Sequence, residues 1–567
     1  MLAVLLLLGQ TIAAPRPVPS TRTAVERALP ALERSAKTFV ANRSCVSCHH
    51  NILPILTLRL AASRGFTIDA AVLENVERKT FRELTMTRAF DEAVQGAGVG
   101  DPTPNDSWLL VAAQVAGLAP DPTNAIYAKR IASWQHDGHW TTSDFRPPHS
   151  SSLFTATATA VRAIRAYMPD EMRQTRERVV ADASRWLQQT APQSTEDATF
   201  RVLGLVWAGA PRDVIAAAAA DLQKLQRLSG GWAQLPGYRP DAYSTGEALY
   251  ALSEAGASDT MGWRRGIVLL RSTQAADGTW RVPTRMISPA EVSPPYFETG
   301  FPYKKDEFLS YAGSSWATMA LLSALPQTTT LPPRPKAAAS QAASEVSPLM
   351  LAMPDLAQVT QLIANGADVH YRTPAGYDAV TVAASYRGTT DIIRALLDAG
   401  AAAEPPDSSK AKHSPLLFAS MSGDLETVSL LLARGAKANP RPNPSGDSPI
   451  SEAITFGRAD VVRALVAAGA KVDLVESTGV NLLHWATITN RAEVIPVLAK
   501  AGVDINAIDE AGFTPLMYAA TIDFGDTSTL RALLAAGADK TIKNASGRTA
   551  RQQAQHFGHT QLAIALQ

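Results

Sequence analysis

The chain has no excess of charge of either sign: 53 Lys and Arg face 52 Asp and Glu, evenly mixed, for a formal net charge of +1. A nucleic-acid binder concentrates positive charge on one face, so that class is excluded. It also lacks an apolar run long enough to span a bilayer. The one candidate, Met1 to Ala14, is too short and ends in small residues before Pro15-Arg16-Pro17, as a cleavable secretion signal does. Export to a bacterial periplasm or another extracytoplasmic space is the expectation. The missing basic start leaves an uncleaved anchor or a misplaced initiator as alternatives, and no membrane span is expected in the mature chain. Cysteine is scarcest of all, with Cys45 and Cys48 the only two in 567 residues. At 46% hydrophobic and 19% charged, the chain has the material for large cores, and its length predicts several domains.

Those two thiols stand in Cys45-Val46-Ser47-Cys48-His49-His50. Two cysteines three apart, followed directly by histidine, form the attachment sequence of a c-type haem. The sulfurs add across the porphyrin vinyl groups and the histidine becomes the proximal iron ligand. Cys45 and Cys48 are the expected haem thioethers, and His49 the axial ligand of the haem iron. Other readings stand beside this one: a redox-active or structural disulfide, a zinc site, or coincidence. No zinc is expected, because a lone Cys-Cys-His cluster lacks the paired ligand cluster of structural sites. Export favours haem, which is attached outside the bacterial cytoplasm. His50 points about 100° from His49 on a helix and is not expected to serve the same iron. His136, His139, His149 and Met86 are available as sixth ligand, with no spacing that chooses among them.

Residues 326–345 are rich in Pro, Thr, Ser and Ala and read as a semi-stiff linker. Downstream, Gly-Ala-Asp-Val at 366 recurs in variants at 400, 435, 469, 502 and 537, a period of 33 to 35 residues. Between these turns lie Thr514-Pro515-Leu516-Met517-Tyr518-Ala519-Ala520 and Asn481-Leu482-Leu483-His484-Trp485-Ala486. This pattern resembles the ankyrin family, which places one helix after Thr-Pro and a second at Arg531-Ala532-Leu533-Leu534. Seven first helices are expected near Ser347, Asp378, Ser414, Ser448, Asn481, Thr514 and Thr549, the last unit acting as a cap. The resemblance implies a protein partner bound through the hairpin tips or the concave helix face. His484 reads as a structural residue bonded to neighbouring backbone.

Upstream, Trp134-Gln135-His136-Asp137-Gly138-His139-Trp140, Gln226-Arg227-Leu228-Ser229-Gly230-Gly231-Trp232 and Gln274-Ala275-Ala276-Asp277-Gly278-Thr279-Trp280 repeat one turn. An amphipathic helix ends in Gln, Gly turns the chain, and Trp packs back before a second, smaller-residue helix. Six such pairs are expected, with inner helices at 51–62, 106–117, 152–167, 197–208, 244–256 and 315–325, and outer helices near 23–41, 70–90, 123–134, 171–189, 213–228 and 261–273. The Gln/Trp turns resemble those of squalene-hopene cyclases and protein prenyltransferases. That resemblance spans 23–325 and implies a six-hairpin α/α toroid there; with the other segments the expectation is an all-α chain: a signal at 1–14, a Pro-rich lead at 15–22, the toroid, the linker, and an ankyrin solenoid over 346–567.

Activity does not follow from that fold. The Asp-x-Asp-Asp acid of hopene-forming cyclases does not occur here, and no cysteine follows Cys48 to complete a prenyltransferase zinc site. In such toroids the inner-helix N-termini ring one mouth, here bringing His49, His50, Asp106, His149, Glu196, Asp197, Tyr243 and Ser314 together. Glu196 and Asp197, with Asp106, are the candidate catalytic acids, although all three also suit helix N-termini. Glu247, one turn into its helix, reads as a satisfied buried acid. A loop carrying Tyr296, Phe297, Phe301 and Tyr303 is expected to close over the mouth as plug or ligand wall. The overall expectation is an exported protein-binding protein with a covalent haem for electron transfer or redox sensing. The alternatives are a toroid enzyme, taking a hydrophobic isoprenoid lipid or a polysaccharide as ligand, and a non-catalytic scaffold.

Overall fold

The computed structural model describes residues 18–43, 46–98, 102–286, 298–329, 344–406, 410–440 and 446–567. Among them the regular elements are all helices, and strand pairing is confined to isolated bridges. The signal expected at 1–14, Cys45, Tyr296, Phe297 and most of the linker lie outside the described residues.

In the N-terminal half, six helices rich in Ala, Leu, Val and Thr pack each against the next: Leu53–Ser63, Ser107–Val115, Leu153–Tyr167, Thr195–Ala208, Ala242–Glu254 and Glu307–Ser323. The last packs back on the first, closing a ring. Burial all round explains their composition. Ser152, Ser194 and Asp241 start three of them by accepting backbone N–H bonds, each cap contributing about 1 kcal/mol. More amphipathic helices flank the ring; Arg173–Gln189, for example, buries only Val179, Ala183 and Leu187.

The Gln/Trp turns stitch the hairpins together. Trp140, Trp232 and Trp280 donate their indole N–H to the carbonyls of Ile131, Leu222 and Leu270, each on the helix just completed. Their backbone N–H groups donate to Thr157, Thr245 and Ser314 on the inner helices that follow. Gln135 and Gln226 reach to carbonyls of the next outer helix, Val179 and Gly262, while Gln274 reaches Ala24 at 2.7 Å. The last turn thus holds the first helix, Thr21–Asn42. Gly278 adopts φ +86°, and a Cβ there would lie 2.0 Å from the Arg27 carbonyl, so only glycine fits the junction.

Two expected helices differ. The outer helix expected over 70–90 breaks into Ala70–Thr80, Arg82–Thr85 and Ala89–Gln95, because fully buried Phe81 leaves the helical path where it turns into the core. The helix expected from 315 begins at Glu307, its first two turns having been hidden by the aromatic loop pattern.

In the C-terminal half, Ser347, Asp378, Ser414, Ser448, Asn481, Thr514 and Thr549 each cap the first helix of a pair. His484 has Asn481 N–H on its Nδ1 and donates from Nε2 to the Phe513 carbonyl of the next repeat, 3.0 Å away. The two halves pack directly on one another along the turns between paired helices. Arg387, Arg458 and Arg491, one from each of three such turns, bond the Gln135 carbonyl, the Thr141 hydroxyl and the Thr142 carbonyl. Fully buried Arg130 bonds the Ala93 and Val94 carbonyls and the Ser385 hydroxyl, and lies over the Tyr386 ring. Arg285 and Tyr238 meet Asp523 in the sixth repeat.

Candidate functional site

The segment after Ser47 forms a π-helical turn, Cys48–Ile52, ahead of Leu53–Ser63. Ser47 N–H donates to Asn51 Oδ1, His50 N–H donates to Ser47 Oγ, and Asn51 Nδ2 donates to Thr80, so the turn is tied at both ends. A wide turn lets consecutive residues share one buried side, and His49 and His50 are 2% and 0% exposed. Their Nδ1 atoms face each other. The His50 ring is sandwiched between Phe39 and Tyr311, with centroids 4.8 and 4.1 Å away and both planes within 11°. Cys48 heads this turn; its side chain, like Cys45, is outside what the structure describes.

His149 lies just before the helix Leu153–Tyr167, with its ring centroid 6.3 Å from that of His49 and Phe308 edge-on to both. Trp108 flanks it. His149 Nδ1 is 3.1 Å from the Tyr243 hydroxyl, which donates to Glu196 Oε2 at 2.8 Å, while the Thr155 hydroxyl donates to Glu196 Oε1 at 2.7 Å. Glu247, one helical turn beyond Tyr243 and on its face, sits against Glu196.

Burial sets the protonation of this cluster. It holds His50 and His149 down at about 3, and His49 well below its ordinary value, with His50, His149 and Arg146 adding to the effect on His49. All three imidazoles are neutral at pH 7. Burial raises Glu196, opposed by hydrogen bonds with Glu247, Thr155 and Tyr243; it raises Glu247 further, reinforced by Glu196. A buried carboxyl pair cannot ionise twice, so Glu247 is the acid that keeps its proton.

The expected mouth is thus partly assembled: His49, His50, His149, Tyr243 and Glu196 form one buried cluster. The others do different work. Asp197 parts from Glu196 to cap its own helix, accepting from Ser194 and Gln193 N–H and from the Ser152 hydroxyl. Asp106 is buried beside the helix Ser107–Val115 but makes no capping bond, because it ends a π-helical turn with helical backbone angles. Ser314 is held by Trp280. Phe301 packs on Ala31, Leu32 and Tyr311, and Tyr303 bonds the Thr279 hydroxyl, so this part of the aromatic loop seals against the first helix. Glu247 is a member of the cluster with the Glu196 carboxyl for a neighbour. Phe39, Trp108, Thr155, Phe308 and Tyr311 complete the shell; their hydrophobic or small side chains are indistinguishable in sequence from ordinary core. Glu247 was the visible signal, an acid four residues from Tyr243 in an otherwise apolar inner helix.

A cavity of about 440 Å³ between the ring and the repeats reaches the cluster at Glu196, with Arg285, Arg458 and Arg491 also in its wall.

A family model described as ankyrin repeats (3 copies) matches residues 349–442 and 450–544. Protein PhlB of Serratia liquefaciens is 40% identical over 100 residues, 18% of this chain and 43% of that protein, so the match spans less than half of that relative. The crystal structure of the human ASB11 ankyrin repeat domain is 25% identical with a TM-score of 0.34, covering 39% of this chain and 98% of that one. Among the described residues no helix is long and apolar enough to cross a membrane. The C-terminal region of this chain is built of ankyrin repeats.

Proposed function

We propose that the chain is an exported haem protein in which the helical ring is an α/α toroid, Cys45 and Cys48 carry a covalent c-type haem, and His49 is its axial ligand. The observation that carries this reading is the placement of His49. His49 is 2% exposed and neutral among aromatic rings and two further buried imidazoles, His50 and His149. Neutral imidazole is the form that binds iron. The donor set therefore fits the group, with Phe308 edge-on to both imidazoles. Bound there, haem supplies one-electron redox chemistry. The chain's own residues exclude water through Phe39, Trp108 and Tyr311, and hold a proton on Glu247 within one side chain of Tyr243.

The ankyrin array has two uses in this reading. Its inter-helix turns grip the toroid. Val475 and Ile508, on hairpin tips of consecutive repeats, stay 62% and 54% exposed for a protein partner. The test is maturation of the full chain in a periplasm equipped to attach c-type haem, followed by intact mass, peroxidase stain and alkaline pyridine spectrum. One covalent haem is expected, lost in Cys45→Ser with Cys48→Ser. A colourless product with two free thiols overturns the proposal.

The Glu196–Glu247 pair favours a second reading, a toroid enzyme using the protonated acid on an isoprenoid lipid or polysaccharide that enters by the 440 Å³ cavity. Unchanged turnover of such substrates in Glu247→Gln removes it.

A further inference from the structure

We propose that His149, through Nε2, is the second axial ligand of the iron held by His49, making a bis-imidazole centre; this rests on the haem reading above. Four observations converge on it. The first is separation. With a metal–nitrogen bond of about 2.0 Å, each imidazole centre lies about 3 Å from the metal, so two rings sharing one ion sit about 6 Å apart. The His49 and His149 centroids are 6.3 Å apart.

The second is an orphaned atom. His149 is 2% exposed, and its Nε2 has no hydrogen-bond partner among the described residues. Leaving a buried polar atom unsatisfied costs about 1–3 kcal/mol, and a bound ion is one of the partners that would satisfy it.

The third is the tautomer. Tyr243 has one hydroxyl proton and gives it to Glu196, so its oxygen is left to accept from His149 Nδ1–H. The lone pair of His149 is then on Nε2. An imidazole oriented through its other nitrogen by a hydroxyl and a carboxylate is the outer support that metal-binding histidines show.

The fourth is the fate of the other histidines. His50 is locked between Phe39 and Tyr311. His136 pairs with exposed Asp137 and His139 stacks on Trp186, both tied into the turn after Trp134.

The experiment uses the full chain matured with haem. The alkaline pyridine spectrum first reports whether haem is attached, and its absence fells the haem reading and this inference together. With haem attached, absorption and electron paramagnetic resonance are expected to show low-spin, six-coordinate iron. His149→Ala should keep its haem, become high-spin, and return to low spin on addition of free imidazole. A His149→Ala protein that carries haem and stays low-spin without imidazole overturns the inference while leaving the haem reading intact. If that variant does not fold, His149→Met serves: a changed low-spin signature supports the assignment, and a spectrum identical to the parent overturns it.

Discussion

The indole N–H of Trp134 donates to the carbonyl of Ser385 at 2.9 Å, so an aromatic residue of the ring's first Gln/Trp turn is committed to the second ankyrin repeat. Together with Arg130, Arg458 and Arg491 it makes the two halves one folding unit.

Replacing Arg458 and Arg491 by Ala together removes bonds to the Thr141 hydroxyl and the Thr142 carbonyl, a loss of about 1–3 kcal/mol for each partner left unpaired. Urea unfolding followed by circular dichroism and tryptophan fluorescence should pass from one transition to two. A single transition with an unmoved midpoint would count against a shared unit.

Tyr243→Phe strips His149 Nδ1 and Glu196 of a common partner. A destabilisation of about 1–3 kcal/mol is expected, read as a lower urea midpoint. Glu196→Gln in the Tyr243→Phe background should cost less than in the parent, since the two share one bond.

The Glu196–Glu247 pair makes stability depend on pH. Glu247 is raised above its unfolded value of 4.5, so its contribution is complete below that value and is lost as pH rises toward the folded one. Across this window the parent should lose about 1.4 kcal/mol per pH unit, whereas Glu247→Gln, which cannot ionise, should show a flatter profile. Denaturant midpoints measured at steps upward from pH 4.5 decide it, and parallel profiles would refute the shared proton.

Two glycines separate backbone strain from collision. Gly278 and Gly366 have φ of +86° and +82°, but only at Gly278 does a Cβ meet backbone, the Arg27 carbonyl. Gly366→Ala should cost about 1 kcal/mol, and Gly278→Ala about 3 kcal/mol or more because the ring's closing turn must shift. Equal thermal shifts would show that Gly278 is not a tight junction.

Much of this was legible before any coordinates. The seven ankyrin caps are the Ser, Asp, Asn and Thr residues the repeat pattern picked, because capping is a local bond to the next turn. His49, His149, Tyr243 and Glu196 met because helix N-termini follow from the same local rules. What escaped depended on neighbours distant in the chain. Nothing in Glu196-Asp197 says that one acid turns to Tyr243 and the other to its own cap. The repeat arginines at 387, 458 and 491 look like ordinary surface charge until the ring supplies their acceptors. Phe308 and Tyr311, which pack on His49 and His50, follow a run of aromatic residues that masks the helical period.

The bond from Gln274 to Ala24 joins residues 250 apart, and Tyr311 reaches Leu32 across 279. Contacts so remote in sequence are slow to form, and chains emerge N-terminus first. Residues 45–49 are therefore among the first out, yet two of the side chains that cover His49 and His50, Phe308 and Tyr311, belong to the helix that completes the ring. Until that helix arrives, His49 and His50 lack those two covering rings. Under the haem proposal, the motif would stay reachable for attachment for as long as the rest of the ring takes to appear.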